Sequence, residues 1–232
     1  MTLEFILGIL QIVLIATTPL VFAGIGELVT EKSGVLNLGV EGMMLVGAVT
    51  AFIILVITGS YFLAFFVSIL SGIIMSGLFA FLVLNLMSNQ IATGLALTIF
   101  GIGLSSMLGK QYIGTPIDGL SPWFFVIFSF VIVFFVSYFF YKTKAGLILR
   151  AVGESHNSAH ALGYSVIKIR FLSILFGGSM CALAGSYISI CYAPMWQEGM
   201  TAGRGWIALA LVVFATWKPE RVLVCLLYTS DA

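Results

Sequence analysis

Asn37 and Glu41 stand four residues apart at the head of a long apolar run, in Ser33-Gly-Val-Leu-Asn-Leu-Gly-Val-Glu-Gly-Met-Met-Leu-Val-Gly-Ala48. If that run opens a membrane helix, the two side chains share one helix face. An ionised carboxylate at the centre of such a helix costs roughly 2.5–3.5 kcal/mol on insertion scales, so it needs a partner or a task. Two chemistries fit. The face can line a pathway, with Asn37 bonding a polar solute. Alternatively, Glu41 ties its helix to a neighbouring helix or a backbone amide. The tie is the preferred reading for Glu41, and Asn37 stays open between the two.

Three further groups carry chemistry. Asn89, Gln90, Thr93 and Thr98 begin another apolar run. Amides and hydroxyls pair with a nucleobase or a sugar hydroxyl, and equally well cap helices and bond across them. Asn89 reads as a cap; Thr93 and Thr98 read as pathway candidates. Trp196, Glu198, Arg204 and Trp206 flank the last apolar segments. An aromatic beside a charge at the membrane boundary is an anchor or a stacking surface, and Trp196 is read as an anchor. Gly203-Arg204-Gly205 before a short apolar segment predicts a half-helix, the element that ends at the binding site in broken-helix transporters. His156 and His160 lie one turn apart near Glu154. A closed zinc site takes four ligands, so an exposed helix face is the better reading and no metal is expected. No Ser/His/Asp or Cys/His constellation is present, so the chain is not expected to be an enzyme.

The elements that must hold these residues follow from composition. Of 232 residues, 61% are hydrophobic and 8% are charged, against about 25% charged in soluble domains. Residues 5–26, 42–109, 119–141 and 171–197 contain no charge at all. The expected fold is all-α, a polytopic transmembrane bundle with spans at 5–26, 37–58, 61–84, 91–109, 122–141 and 170–193 and a short or re-entrant segment at 205–217. The apolar runs are continuous rather than alternating, which excludes a barrel. Net charge is +1, which makes no electrostatic case for nucleic acid. Cys181, Cys191 and Cys225 show no disulfide or metal spacing. Glu4 and the absence of a basic leader argue against a cleaved signal peptide.

Lys and Arg set the expected orientation. The loop 142–170 carries Lys142, Lys144, Arg150, Lys168 and Arg170, which places it in the cytoplasm, with the N-terminus outside, 27–36 inside and 110–121 outside. Within that loop 155–162 reads as a short helix, capped by Ser155 and ended by Gly163. It is placed either to touch a soluble partner or simply to connect two spans. In the sixth span Ser173, Gly177, Cys181, Gly185 and Ser189 recur every fourth residue. This small-residue stripe reads as a helix-packing seam.

Four ordered stretches carry a family resemblance: the Ser33–Ala48 stretch; Asn89-Gln-Ile-Ala-Thr-Gly-Leu-Ala-Leu-Thr98; Arg150-Ala-Val-Gly-Glu154 with Ala161-Leu-Gly163 and Ile169-Arg-Phe-Leu; and Thr201-Ala-Gly-Arg-Gly-Trp-Ile-Ala-Leu-Ala210. Together they resemble the permease subunit of a bacterial ABC importer, in the branched-chain amino acid and ribose-type permease superfamily, nearest the nucleoside or simple-sugar uptake group. The resemblance covers nearly all of 1–221 and implies a permease domain over 1–224 that is incomplete at its C-terminus. Residues 225–232 read as a sequencing-adapter tail without structural role.

The resemblance further implies a bacterial inner-membrane complex. A second permease, the same or different, would complete the pathway. Cytoplasmic ABC ATPases would bind the short helix 155–162, with Arg150, Glu154 and Gly163 in the coupling region. A lipid-anchored binding protein would deliver solute outside. No Gly-x-x-x-x-Gly-Lys-Ser/Thr sequence is present, so ATP is expected to be used by the partner and no cofactor is expected on this chain. The expected cargo is a nucleoside, or alternatively a simple sugar such as ribose. A different class, an ion-coupled carrier with Glu41 as its proton site, is the competing reading.

Overall fold

The computed structural model describes residues 3–229, and the described residues form ten α-helices: α1 (Leu3–Lys32), α2 (Val40–Thr58), α3 (Tyr61–Ala80), α4 (Gln90–Gly109), α5 (Trp123–Lys142), α6 (Lys144–Glu154), α7 (His156–Ala161), α8 (Val166–Tyr187), α9 (Arg204–Phe214) and α10 (Pro219–Thr229). α3 and α8 each end in a π-helical turn, Phe81–Asn85 and Ile188–Tyr192, and α4 ends in a 3-10 turn. Six stretches are long and apolar enough to cross a membrane: Leu7–Lys32, Val40–Thr58, Tyr61–Asn85, Gln90–Tyr112, Trp123–Lys142 and Val166–Tyr192. The all-α bundle expected from composition is what the chain forms.

Three local expectations need correction. The first helix does not end near residue 26. It continues through Glu27 and Glu31 to Lys32 and stops only where Ser33 and left-handed Gly34 (φ 84°) turn the chain. Leu28 and Thr30 within this extension are buried among other helices, so the stretch 27–30 is core rather than connector. Second, α2 begins at Val40, with Gly39 at its N-cap. Asn37 therefore precedes the helix and does not share a helix face with Glu41. Third, the connector after α5 contains a further amphipathic helix, α6. Thr143 caps it by accepting from the Gly146 N–H at 3.1 Å, and Leu149 and Val152 are its buried residues at helical spacing. Helix α7 follows it, capped by Ser155, and left-handed Gly163 (φ 86°) ends that turn. Of the tail expectation, 225–229 fall within α10, Cys225 packs against a buried apolar cluster, and 230–232 lie outside the described residues.

α8 is the hub, packed against α1, α2 and α3, while α4 lies on the other side of α2. The contacts depend on missing side chains rather than on apolar bulk, because lipid offers helices no hydrophobic reason to associate. Gly177 meets α1 at Thr30 and Gly26, and a Cβ at Gly185 would run into the Met44 carbonyl of α2. Cys181, between them on the stripe, is fully buried. A Cβ at Gly47 would sit 2.5 Å from the Ala182 Cα, and one at Gly101 of α4 would sit 2.6 Å from the Gly42 Cα. Hydroxyls then bond across the seams. The Ser68 Oγ donates to the Gly47 and Ala182 carbonyls at 2.9 and 3.1 Å as alternatives, and the Ser189 Oγ to the Ala48 carbonyl at 3.0 Å. The result is a tight frame around α2, the most enclosed span.

Candidate functional site

The crossing after α8 is broken. Beyond Tyr192 the chain leaves its π-turn and runs extended along the loop that follows α4. The Gly114 N–H bonds the Trp196 carbonyl at 3.2 Å, and the Ile117 N–H bonds the Pro194 carbonyl at 3.3 Å. Trp196 is wholly enclosed, packed with Ala48, Val49 and Phe52 of α2 and set against Gly109 of α4. This corrects its reading as a boundary anchor: the indole is a wedge inside the bundle, and it fits there because Gly109 has no side chain. The segment then turns through left-handed Gly199, Ala202 and Gly203 (φ 66°, 48° and 80°) and starts α9. Ala202 is the costly one, since a residue with a Cβ rarely adopts this conformation. α9 has eleven residues, about 16 Å of helix, roughly half a hydrocarbon core. The half-helix expected from Gly203-Arg204-Gly205 is present.

The start of α9 meets Glu41. A helix leaves its first N–H groups unpaired, and the N-cap residue here, Gly203, has no side chain to satisfy them. Glu41 does so from the first turn of α2. Its Oε1 accepts from the Gly203 N–H at 2.9 Å and from the Thr201 hydroxyl, and its Oε2 accepts from the Gly205 N–H at 2.7 Å. Glu41 is 6% exposed. A Cβ on Gly205 would stand 2.7 Å from Oε2 and 2.8 Å from the Glu41 Cα, so the approach requires glycine there. The positive end of the α9 dipole thus faces a carboxylate inside the bundle. At the same turn, the Arg204 guanidinium lies over the exposed Tyr192 ring at 4.6 Å, a cation–π contact, and Trp206 of α9 is exposed.

The other sequence-predicted residues lie as follows. Asn37 is fully buried. Its Oδ1 accepts from the Gly39 N–H at 2.9 Å, its Nδ2 meets the Met43 sulfur at 3.7 Å, and its own N–H donates to the Glu27 Oε1 at 3.0 Å. Thr98 donates to the Leu38 carbonyl at 2.9 Å, and Thr93 shares a hydrogen bond with Ser88 at 2.9 Å. Asn89 caps α4 by accepting from the Ile91 and Ala92 N–H groups. Gln90 accepts from the Leu36 N–H at 2.9 Å. These groups gather along the entry to α2 and the start of α4, while Arg204 stands apart on the broken crossing. Arg150, Glu154 and Gly163 sit on or beside α6 and α7: Arg150 half-buried with its guanidinium 5.8 Å from the Tyr141 ring centre, Glu154 and Gly163 exposed. Exposed Leu162 and Tyr164 adjoin them. Among the described residues, no group of three or more His, Cys, Asp or Glu side chains is placed to hold a metal.

Two acids of α1, one buried and one half-buried, escaped the sequence reading. Glu27 is fully buried; beside its bond to Asn37, its Oε2 has no partner among the described residues. Glu31, one turn on, accepts from the Trp217 indole through Oε2, and its Oε1 likewise has no partner there. The available signal was the lack of any helix breaker between residue 26 and Ser33-Gly34.

Comparison with known proteins agrees with this architecture. The family model described as the permease component of branched-chain amino acid transport systems matches residues 9–227. A Haloferax volcanii protein named for a glucose ABC transporter permease, TsgC13, is 40% identical over 96% of this chain and 74% of its own length. The guanosine ABC transporter permease protein NupQ of Bacillus subtilis is 27% identical over 98% of this chain and 82% of its own. The nucleoside ABC transporter permease protein NupC of Lactococcus lactis is 28% identical over 89% and 74%. No solved structure matches the chain.

Proposed function

The chain belongs to the branched-chain amino acid transport permease family, and from that premise we propose that it forms the membrane pathway of an ATP-driven importer for a nucleoside or a sugar. It is a multi-pass membrane transport component rather than an enzyme. The observation that carries the reading is the broken crossing: an extended segment, a buried half-helix start, and Arg204 of that start lying over the exposed Tyr192 ring. An aromatic ring and a guanidinium suit an uncharged ring that bears hydroxyls, the chemistry nucleosides and hexoses share. The names of the relatives divide between the same two classes.

The energy would come from a partner. The basic loop 142–170 is assigned to the cytoplasm by its charge, and there α7, with exposed His156, His160 and Leu162, offers a short projecting helix for an ATPase to grip. Arg150, Glu154 and Gly163 flank it. A binding protein would deliver solute on the opposite face, and a second permease subunit would close the open side of the broken crossing. The competing proton-carrier reading uses Glu41, but that carboxylate already accepts three hydrogen bonds, which speaks against a site that must take up and release a proton.

The test is uptake of labelled uridine, guanosine and glucose by cells that lack the gene and by cells with it restored. Restoration should recover uptake of one solute class at least about tenfold. Equal uptake with and without the gene for all three would overturn the proposal.

A further inference from the structure

We infer that the Glu41 carboxylate is the resident anion of the half-helix α9, and that its negative charge, not only its shape, holds the broken crossing in the position that transport uses. Three independent observations converge on this. The N-cap of α9 is Gly203, so the chain supplies no local cap, and the two nearest donors, the Gly203 and Gly205 N–H groups, both point at Glu41. The third donor is the Thr201 hydroxyl, which adds a contact from the far side of the left-handed turn at Ala202 and Gly203. Finally, Gly205 leaves room for nothing but the carboxylate and the α2 backbone.

A helix N-terminus collects anions because its free N–H groups and its dipole act together. In broken-helix transporters such an end meets an anionic group of the substrate. Here an acid from α2 fills it permanently. The turn that carries Arg204 is therefore anchored to α2 through a charge. The segment's left-handed residues give it little reason to hold this shape alone. Glu41 is thus a positioning residue. It touches no solute and acts by fixing where Arg204 stands against the Tyr192 ring. The inference rests on the proposed transport function only for its second readout.

The experiment uses the whole transport complex, purified with Glu41→Ala and, separately, with Glu41→Gln. Thermal unfolding is followed in buffer, in formate and in formamide, its neutral isostere. Solute uptake is then followed in proteoliposomes under the same conditions. Glu41→Ala should lower the unfolding temperature and cut the maximal uptake rate at least about tenfold, the worth of one hydrogen bond to a charged group. Formate should restore both with KM unchanged, and formamide should restore neither. Equal rescue by both molecules, rescue by neither, or a Glu41→Gln complex as stable and active as the unaltered one would overturn the inference. If Glu41→Ala does not fold, the Glu41→Gln complex decides by the same two readouts. Failure of the unaltered complex to move any nucleoside or sugar would count against the proposed function alone, because the thermal arm needs no solute.

Discussion

Glu41 and Glu27 are the same residue type, buried on neighbouring spans and linked through the short loop between them, yet their surroundings differ in kind. Glu41 accepts from three donors, two of them backbone N–H groups at a helix start. Glu27 accepts from one, the Asn37 N–H, and leaves its Oε2 without a partner among the described residues. The first arrangement exploits charge, since charge-assisted bonds to a helix end are the strong ones. The second uses the acid as a single acceptor, a task an amide oxygen does equally well. A buried acid in a membrane helix is thus no uniform signal of function; the number and kind of its donors separate an anchor from a simple bond.

Gly205→Val puts a branched side chain into the Glu41 carboxylate, combining overpacking with the loss of its best donors, and should cost about 4 kcal/mol or more. The check is the yield of monodisperse protein in detergent, which should fall to near zero. Glu41→Gln keeps the volume but sets an NH2 group against an N–H donor; a loss of about 1.5–3 kcal/mol is expected, read as a lower unfolding temperature. Glu27→Gln sharpens the contrast. Its oxygen still accepts from Asn37, and its NH2 replaces the unpaired oxygen, so the change should stay below about 1 kcal/mol in the same assay. An equal loss at both positions would erase the distinction. Glu154→Lys, on an exposed surface, should leave stability within about 0.5 kcal/mol while lowering uptake relative to ATP hydrolysis. Unchanged coupling would remove Glu154 from the ATPase-facing surface.

Much of the architecture was legible because apolar runs and polar turns follow bilayer thickness. The half-helix was legible too, since Gly203-Arg204-Gly205 interrupts an apolar stretch too short to span. For the first helix the reading failed because charge was taken as the end of a span. Glu27 and Glu31 continue α1 because Glu27 is buried in protein and half-buried Glu31 meets the Trp217 indole, and no residue spacing reports which neighbour a face will meet. Asn37 was placed on α2 because it opens an apolar run, but its side chain bonds the Gly39 N–H and so shapes the turn before the helix. Trp196 looked like a boundary residue because a re-entrant segment and an external loop have the same composition. The donors that hold Glu41 lie about 160 residues away in the chain, beyond any local pattern.

On the proposed function, a partner's ATP rather than an ion gradient drives solute through this chain. Its most direct test is uptake by cells that depend on this gene for the solute, under two treatments: arsenate, which depletes ATP while respiration keeps the proton gradient, and a protonophore with ATP maintained. Uptake should stop when ATP is lost and persist when only the gradient collapses. Uptake that fails with the gradient while ATP remains would contradict it and return Glu41 to consideration as a proton site.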